Sequence, residues 1–196
     1  MAMLNKSFIV VIVFFLLAQF APVDAITRQQ YAHNLASLAE KMSKQEGKEF
    51  LAISYINEAI KAQPSNLGMY YKRAAIYSRA GLNAEAIKDL NLILKNDPLG
   101  KKFPSTLKYR AECFAALGSY QKALSDYQTF LRKAPKSGKV WYYYAELLWF
   151  VGDREKALQA INSGLRTGSH WEKKMRSLQT KILDNKKVKL HKPFSN

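Results

Sequence analysis

Cysteine is nearly absent. Cys113 stands alone among 196 residues, so no internal disulfide can form and the fold must rest on packing. Histidine is scarce too: His33, His170 and His191 lie far apart, with no cysteine or carboxylate cluster at ligand spacing. That pattern offers no metal site and marks them as ordinary surface histidines. No glycine-rich phosphate loop and no nucleophile motif occurs, so neither catalysis nor a cofactor is implied. Acidic residues are few, 15 against 31 lysines and arginines. The net charge of +16 favours anionic partners such as acidic lipid, acidic glycan, acidic protein or nucleic acid. Apolar residues are plentiful, at 48%. That is enough to bury a core, which excludes disorder throughout and makes one compact domain the starting expectation.

Long apolar runs are confined to the beginning of the chain. Lys6 is followed by the dense stretch Phe8–Phe20 and then by Pro22, Val23, Asp24 and Ala25. A charged start, a core of 13 residues and a small-residue exit predict a secretory signal over 1–25, cleaved after Ala25. The core falls short of the roughly 20 residues a membrane-spanning helix needs. An uncleaved anchor is the alternative, since Ser7 to Val23 carries no charge. The expected location is therefore the periplasm or secretory route, with membrane anchoring as the second reading.

The remainder repeats. Glycines at 47, 81, 118 and 152 are spaced by 34, 37 and 34 residues. Ala52, Ala86, Ala123 and Ala157 follow the same steps, as do Pro64, Pro98 and Pro135, with Ser169 in the fourth place. Three columns sharing one spacing, irregularity included, predict units over 33–66, 67–100, 104–137 and 138–170. The three extra residues fall in the loop-like stretch 99–103 ahead of Pro104, where insertion is best tolerated. Each unit reads as two helices, the second unit as Leu67–Ala80 and Asn83–Asn96. Gly81 permits the positive φ that ends a helix, and Asn83, Ser119 and Asp153 are the predicted caps of the helices that follow. Apolar residues recur at helical spacing along the second helices, as in Ala123, Leu124, Tyr127, Phe130 and Leu131.

This pattern resembles the tetratricopeptide repeat, in which the first helix carries large apolar residues and one small residue. The matching residues are Tyr70, Ala74 and Tyr77; Leu107, Ala111 and Phe114; and Trp141, Ala145 and Leu148. The first unit departs, with Ala36, Glu40 and Ser43 in those places. The resemblance covers about residues 28 to 170 and implies an all-α fold. Its expected form is a right-handed helix-turn-helix solenoid of about four repeats, spanning 26–170. Trp171, Met175, Leu178 and Ile182 line one face of a further helix, predicted to cap the array over 171–184. The lysine-rich segment 185–196 shows little apolar periodicity and is expected to be a disordered tail.

The resemblance also implies a function. In this family the first helices form a concave wall along which peptide segments lie, and the fold works as a non-catalytic scaffold. Carried over, that wall holds Ser37, Lys41 and Lys44, then Tyr71, Lys72 and Arg79. It continues with Lys108, Tyr109 and Glu112, then Lys139, Tyr142, Tyr143, Glu146, Trp149 and Phe150. Aromatic rings with a few fixed charges suit an extended polypeptide, although Tyr143, Tyr144 and Trp149 also suit packing between helices. Some family members clamp a chaperone's terminal carboxylate with two asparagines, two lysines and an arginine. The places here hold Ser37, Lys41, Lys72, Ser105 and Tyr109, or one repeat later Tyr71, Ala75, Tyr109, Lys139 and Tyr143, and neither set is the clamp. Glu112 and Glu146 occupy equivalent places in adjacent repeats and should face one groove about 10 Å apart, a spacing set by helix packing. Two carboxylates across a cleft suit an acid and a base, but Lys108 at helical spacing neutralises Glu112 and disfavours that reading. The two partner classes expected are a protein or peptide in the groove and an acidic membrane surface or polyanion on the basic tail. Nucleic acid ranks last, because export removes it.

Overall fold

The computed structural model describes residues 27–193. The targeting segment expected over 1–25 lies outside them, as do residues 194–196. Among the described residues the fold is all-α, with nine helices and no strand. The described part of α1 covers 27–42. It is followed by α2 (Glu49–Ala62), α3 (Leu67–Arg79), α4 (Asn83–Asn96), α5 (Thr106–Ala116), α6 (Tyr120–Lys133), α7 (Gly138–Phe150), α8 (Arg154–Leu165) and α9 (Glu172–Leu183). None of these helices is long and apolar enough to cross a membrane.

Instead of the single domain expected, the chain divides into two compact units, Met1–Lys72 and Arg73–Asn196. In a repeat array each element packs on its neighbours, so no one centre gathers the whole chain. In the first unit, α1 buries Ala32, Ala36 and Ala39 along one face, with Ser43 buried just after it, and α2 buries Ala52, Ile56, Ala59 and Ile60. The residues by which this unit departs from the repeat pattern are thus accommodated: Ala36 and Ser43 are buried, and Glu40 holds Lys72 at 2.7 Å.

In the second unit the helices pack in order, α4 on α5 through to α8 on α9, and α9 also reaches α7. The alanine columns explain the close approach. Ala74, Ala111 and Ala145 in the first helices are fully buried, as are Ala86, Ala123 and Ala157 in the second. A second column has a structural role the spacing alone did not state. Tyr70 donates to the carbonyl of Pro64 at 3.0 Å, and Trp141 donates to that of Pro135 at 2.8 Å. The large first-helix aromatic thereby fastens the turn before it.

Each first helix of this unit ends in the same way. Gly81, Gly118 and Gly152 take φ of 77°, 73° and 89°. The next residue's N–H donates back to Tyr77, Phe114 or Leu148, a closure that satisfies an orphan helix-end carbonyl. The capping expectation is corrected here. The cap position immediately follows the glycine, so Leu82 occupies it in α4 and Asn83 is already helical. Ser119 sits at the cap of α6 but makes no side-chain cap bond, whereas Asp153 accepts from Lys156 N at 3.1 Å. At the other end α9 buries Met175, Leu178 and Ile182, with Trp171 buried just before its first residue.

Candidate peptide-binding groove

Helical spacing assembles the site. On α7, Tyr142 and Glu146 are four residues apart, and the phenol donates to Glu146 Oε1 at 3.2 Å. On α5 the same spacing brings Lys108 Nζ to 3.8 Å from Glu112 Oε1. Lys108 also lies 3.9 Å from the centre of the Tyr109 ring, a cation–π contact. Lys139 Nζ stands 5.6 Å over Tyr143, one turn on. Trp171 closes the aromatic group, its ring 5.4 Å from Tyr142 and 5.7 Å from Tyr143. Burial and the Lys108 charge push Lys139 below the usual lysine range, with Glu112 acting in the opposite direction. Burial and then the charge of Glu146 raise the Tyr142 phenol.

The chain's own C-terminal segment lies against this face. Asn185, at a φ of 58°, turns the chain back after α9, a backbone region asparagine tolerates better than most residues. Trp149 Nε1 then donates to the carbonyl of Lys186 at 2.9 Å, and Val188 and Leu190 pack against the buried core. His191 ends the path. Its ring stacks on Tyr143 with centroids 3.4 Å apart and 9° between planes. Its backbone N–H donates to Glu146 Oε2 at 3.2 Å, and its Nδ1 lies 2.9 Å from the same oxygen. The opposite ring nitrogen is 3.4 Å from the Tyr127 hydroxyl and 3.9 Å from Glu112 Oε1. Beside it an open cleft of about 420 Å³ is lined by Tyr142, Tyr143, Glu146, Trp171, Lys174, Lys181, Lys189 and His191, among others.

Two expectations are corrected. His191 is not a surface histidine, its side chain being 13% exposed, and residues 186–191 are held against α7 although they form no helix. A short signal was present: Val188 and Leu190 alternate inward with Lys187 and Lys189 outward, the two-residue period of an extended chain. Tyr127 carries no functional signal in the sequence, because its helical spacing marks it only as core. The contact between the segment and α7 spans 45 residues and leaves no local trace.

The structure brings Glu112, Tyr143 and Glu146 together at His191, with Tyr142 bonded to Glu146 and Trp149 holding Lys186. Glu112 and Glu146 are only 2% and 5% exposed, and Tyr143 3%. Tyr144, whose place also suits packing between helices, is buried against Tyr127 and Trp141. Arg79 is exposed in the last turn of α3. Tyr71 and Lys72 belong to the first unit, where Lys72 is tied to Glu40. Ser37, Lys41 and Lys44 are exposed on that unit. Among the described residues no group of three histidine, cysteine, aspartate or glutamate side chains could hold a metal ion.

Comparison with known proteins bears on the fold. Two family models, both described as tetratricopeptide repeat, match residues 51–101 and 114–182. Hsp70-Hsp90 organizing protein 3 of Arabidopsis thaliana is 25% identical over 137 residues, 70% of this chain and 22% of the relative. Hsp70-Hsp90 organizing protein of Triticum aestivum is 34% identical over 86 residues, 44% of this chain and 14% of the relative. Serine/threonine-protein phosphatase 5 of Homo sapiens is 32% identical over 113 residues, 58% of this chain and 22% of the relative. The chain thus spans less than a quarter of the length of these relatives. A crystal structure of a tetratricopeptide repeat protein from Parabacteroides merdae superposes with a TM-score of 0.65 at 22% identity, covering 80% of this chain and 61% of that one. That likeness shows the fold. Repeat spacing, paired helices, buried alanine columns and these matches together establish that the chain carries tetratricopeptide repeats on an all-α fold.

Proposed function

We propose that this protein is a non-catalytic interaction scaffold or adaptor that holds an extended polypeptide segment along the face of α5 and α7. The observation that carries the reading is the seating of residues 186–191 there. Trp149 takes a backbone carbonyl, Glu146 takes a backbone N–H, and the Tyr143 ring stacks on a side chain. Backbone recognition plus side-chain pockets is the way extended peptides are bound in general. The likeness to the two Hsp70-Hsp90 organizing proteins supports the same class. Docking of a chaperone's terminal carboxylate is not proposed, because the clamp residues are absent at both registers. The signal-like segment over 1–25 supports action in the periplasm or secretory route, the alternative being an anchor left in place. N-terminal sequencing of exported protein separates them, Ile26 for cleavage and an intact Met1 or Ala2 for the anchor.

A second reading rests on the net charge of +16: attraction to acidic membrane or another polyanion. Salt decides between them. Crosslinking in the native compartment, followed by mass spectrometry, identifies the partner. Its binding should survive about 0.5 M salt, where screening acts within roughly 4 Å. It should be lost in a folded Tyr142→Ala and Trp149→Ala double variant. Loss in salt with full binding by the variant assigns the partner to charge instead of the groove.

A further inference from the structure

His191 is gripped by its backbone and its side chain at once. One oxygen, Glu146 Oε2, receives the backbone N–H at 3.2 Å and Nδ1 at 2.9 Å. That closure selects for a donor fixed on a short side chain, since the longer reach of arginine or lysine overshoots it. The ring face meets Tyr143 almost in parallel, a fit for a flat group that an ammonium lacks. The far nitrogen points at the Tyr127 hydroxyl and Glu112, so two carboxylates and a phenol surround one imidazole. Burying two carboxylates is unfavourable unless donors or cations meet them; His191 supplies two donors to Glu146, and Lys108 Nζ lies 3.8 Å from Glu112 Oε1.

Resting on the polypeptide-scaffold reading above, we propose that Glu112, Tyr127, Tyr143 and Glu146 form a pocket for the imidazole of a histidine carried on an extended segment of a partner protein. The chain's own His191 fills the pocket, and the partner enters by displacing residues 186–193. The occupant is suited to leave. It has no regular secondary structure, and Lys187, Lys189 and Lys192 are exposed. Upstream it is tied by Trp149 to Lys186 and, at a long 3.4 Å, by Arg154 to the Leu183 carbonyl. Being tethered, it competes at an effective concentration of order millimolar, which hides the pocket from weak ligands.

The test uses the full-length chain and a fluorescent peptide copying residues 185–193. Weakening the tethered competitor by taking away its imidazole with His191→Ala should tighten peptide binding at least tenfold over the unaltered chain. Adding Glu146→Gln, or replacing the histidine in the peptide with alanine, should abolish that gain. In the unaltered chain, saturating peptide should accelerate hydrogen exchange at the His191 amide, a readout that holds even if the variant folds poorly. Equal binding to both chains, equal binding of the histidine-free peptide, or unchanged exchange at saturation overturns the proposal. A crosslinked partner that still needs Tyr142 and Trp149 but is indifferent to His191→Ala and Glu146→Gln overturns the imidazole pocket and leaves the scaffold reading intact.

Discussion

Arg110 forks onto Asp126, Nε and Nη2 each 2.7 Å from a carboxylate oxygen, and so ties the first helix of its repeat to the second. Arg73 and Asp89 form the same fork 37 residues earlier. Arg110 reaches further, donating to Asn91 on α4 at 2.7 Å. In the next repeat Tyr144 and Ala160 take these places, and the Tyr144 hydroxyl instead accepts from Gln128 at 2.6 Å. Both forks are largely shielded from water, so they are worth more than the exposed pair Arg176–Glu172.

Asp126→Ala leaves a guanidinium half-buried without its carboxylate. Loss of charge-assisted hydrogen bonds costs about 2 kcal/mol. In urea the midpoint should fall with an unchanged slope, while Arg176→Ala stays within error of the parent. Equal midpoints for the two variants would falsify the role assigned to the fork.

Gly164 is where α7, α8 and α9 meet. A Cβ there would stand 2.6 Å from Met175 Sδ and 2.8 Å from Trp141 Cβ. Gly164→Ala should therefore destabilise by about 1 to 3 kcal/mol, the usual range for overpacking, although alanine is the better helix former. A melting temperature equal to or above the parent's contradicts the close packing of the capping helix. Combining Gly164→Ala with Met175→Ala clears the sulfur but empties the methionine's own core site, and the two losses should be less than additive.

Cys113 is fully buried, and burial pushes its thiol up to about 12. The Ser78 hydroxyl, 3.9 Å from the sulfur, acts in the opposite sense, and the Glu112 charge adds to the rise. The native protein should leave an Ellman-type reagent unreacted at pH 8 and titrate one thiol in denaturant. Rapid native labelling would mean that the α5 core opens readily. The linkage has a definite sign: the folded value lies above the ordinary 9.0. The thiol's contribution to stability is therefore full below pH 9 and is lost as pH rises towards 12.

Asp97 organises the three-residue insertion between the second and third repeats. Its carboxylate accepts the backbone N–H groups of Lys101, Lys102 and Phe103, each at 2.9 Å. The Phe103 bond is the main influence lowering its pKa; burial opposes it, and the other two bonds and the Lys102 charge assist. A depressed carboxylate stabilises the fold above its ordinary value of 3.8 and loses that contribution as pH falls through the folded value. Asp97→Asn should be less stable than the parent at pH 7, and the gap should close under acid. Denaturant midpoints at pH 7 and below pH 3.8 measure it, and a gap that widens in acid contradicts the assignment.

Local chemistry was legible in the sequence wherever a period expressed it. Glycine, alanine and proline columns announced helix ends, close helix contacts and turns, because these depend on a few neighbouring residues repeated along the chain. Helix α4 spans Asn83–Asn96, the range its periodicity predicts, and Trp171, Met175, Leu178 and Ile182 are the buried residues of the capping segment. The cap itself was misplaced by one residue at Asn83, since a side chain that suits a cap does not reveal its register. Only tertiary structure decided the groove. Glu112 and Glu146 were paired by repeat equivalence, yet their convergence on His191 depends on the chain turning at Asn185 and lying back over α7. A contact across 45 residues is selected by the shape and charge of a surface that exists only after the helices have packed, so no local pattern encodes it.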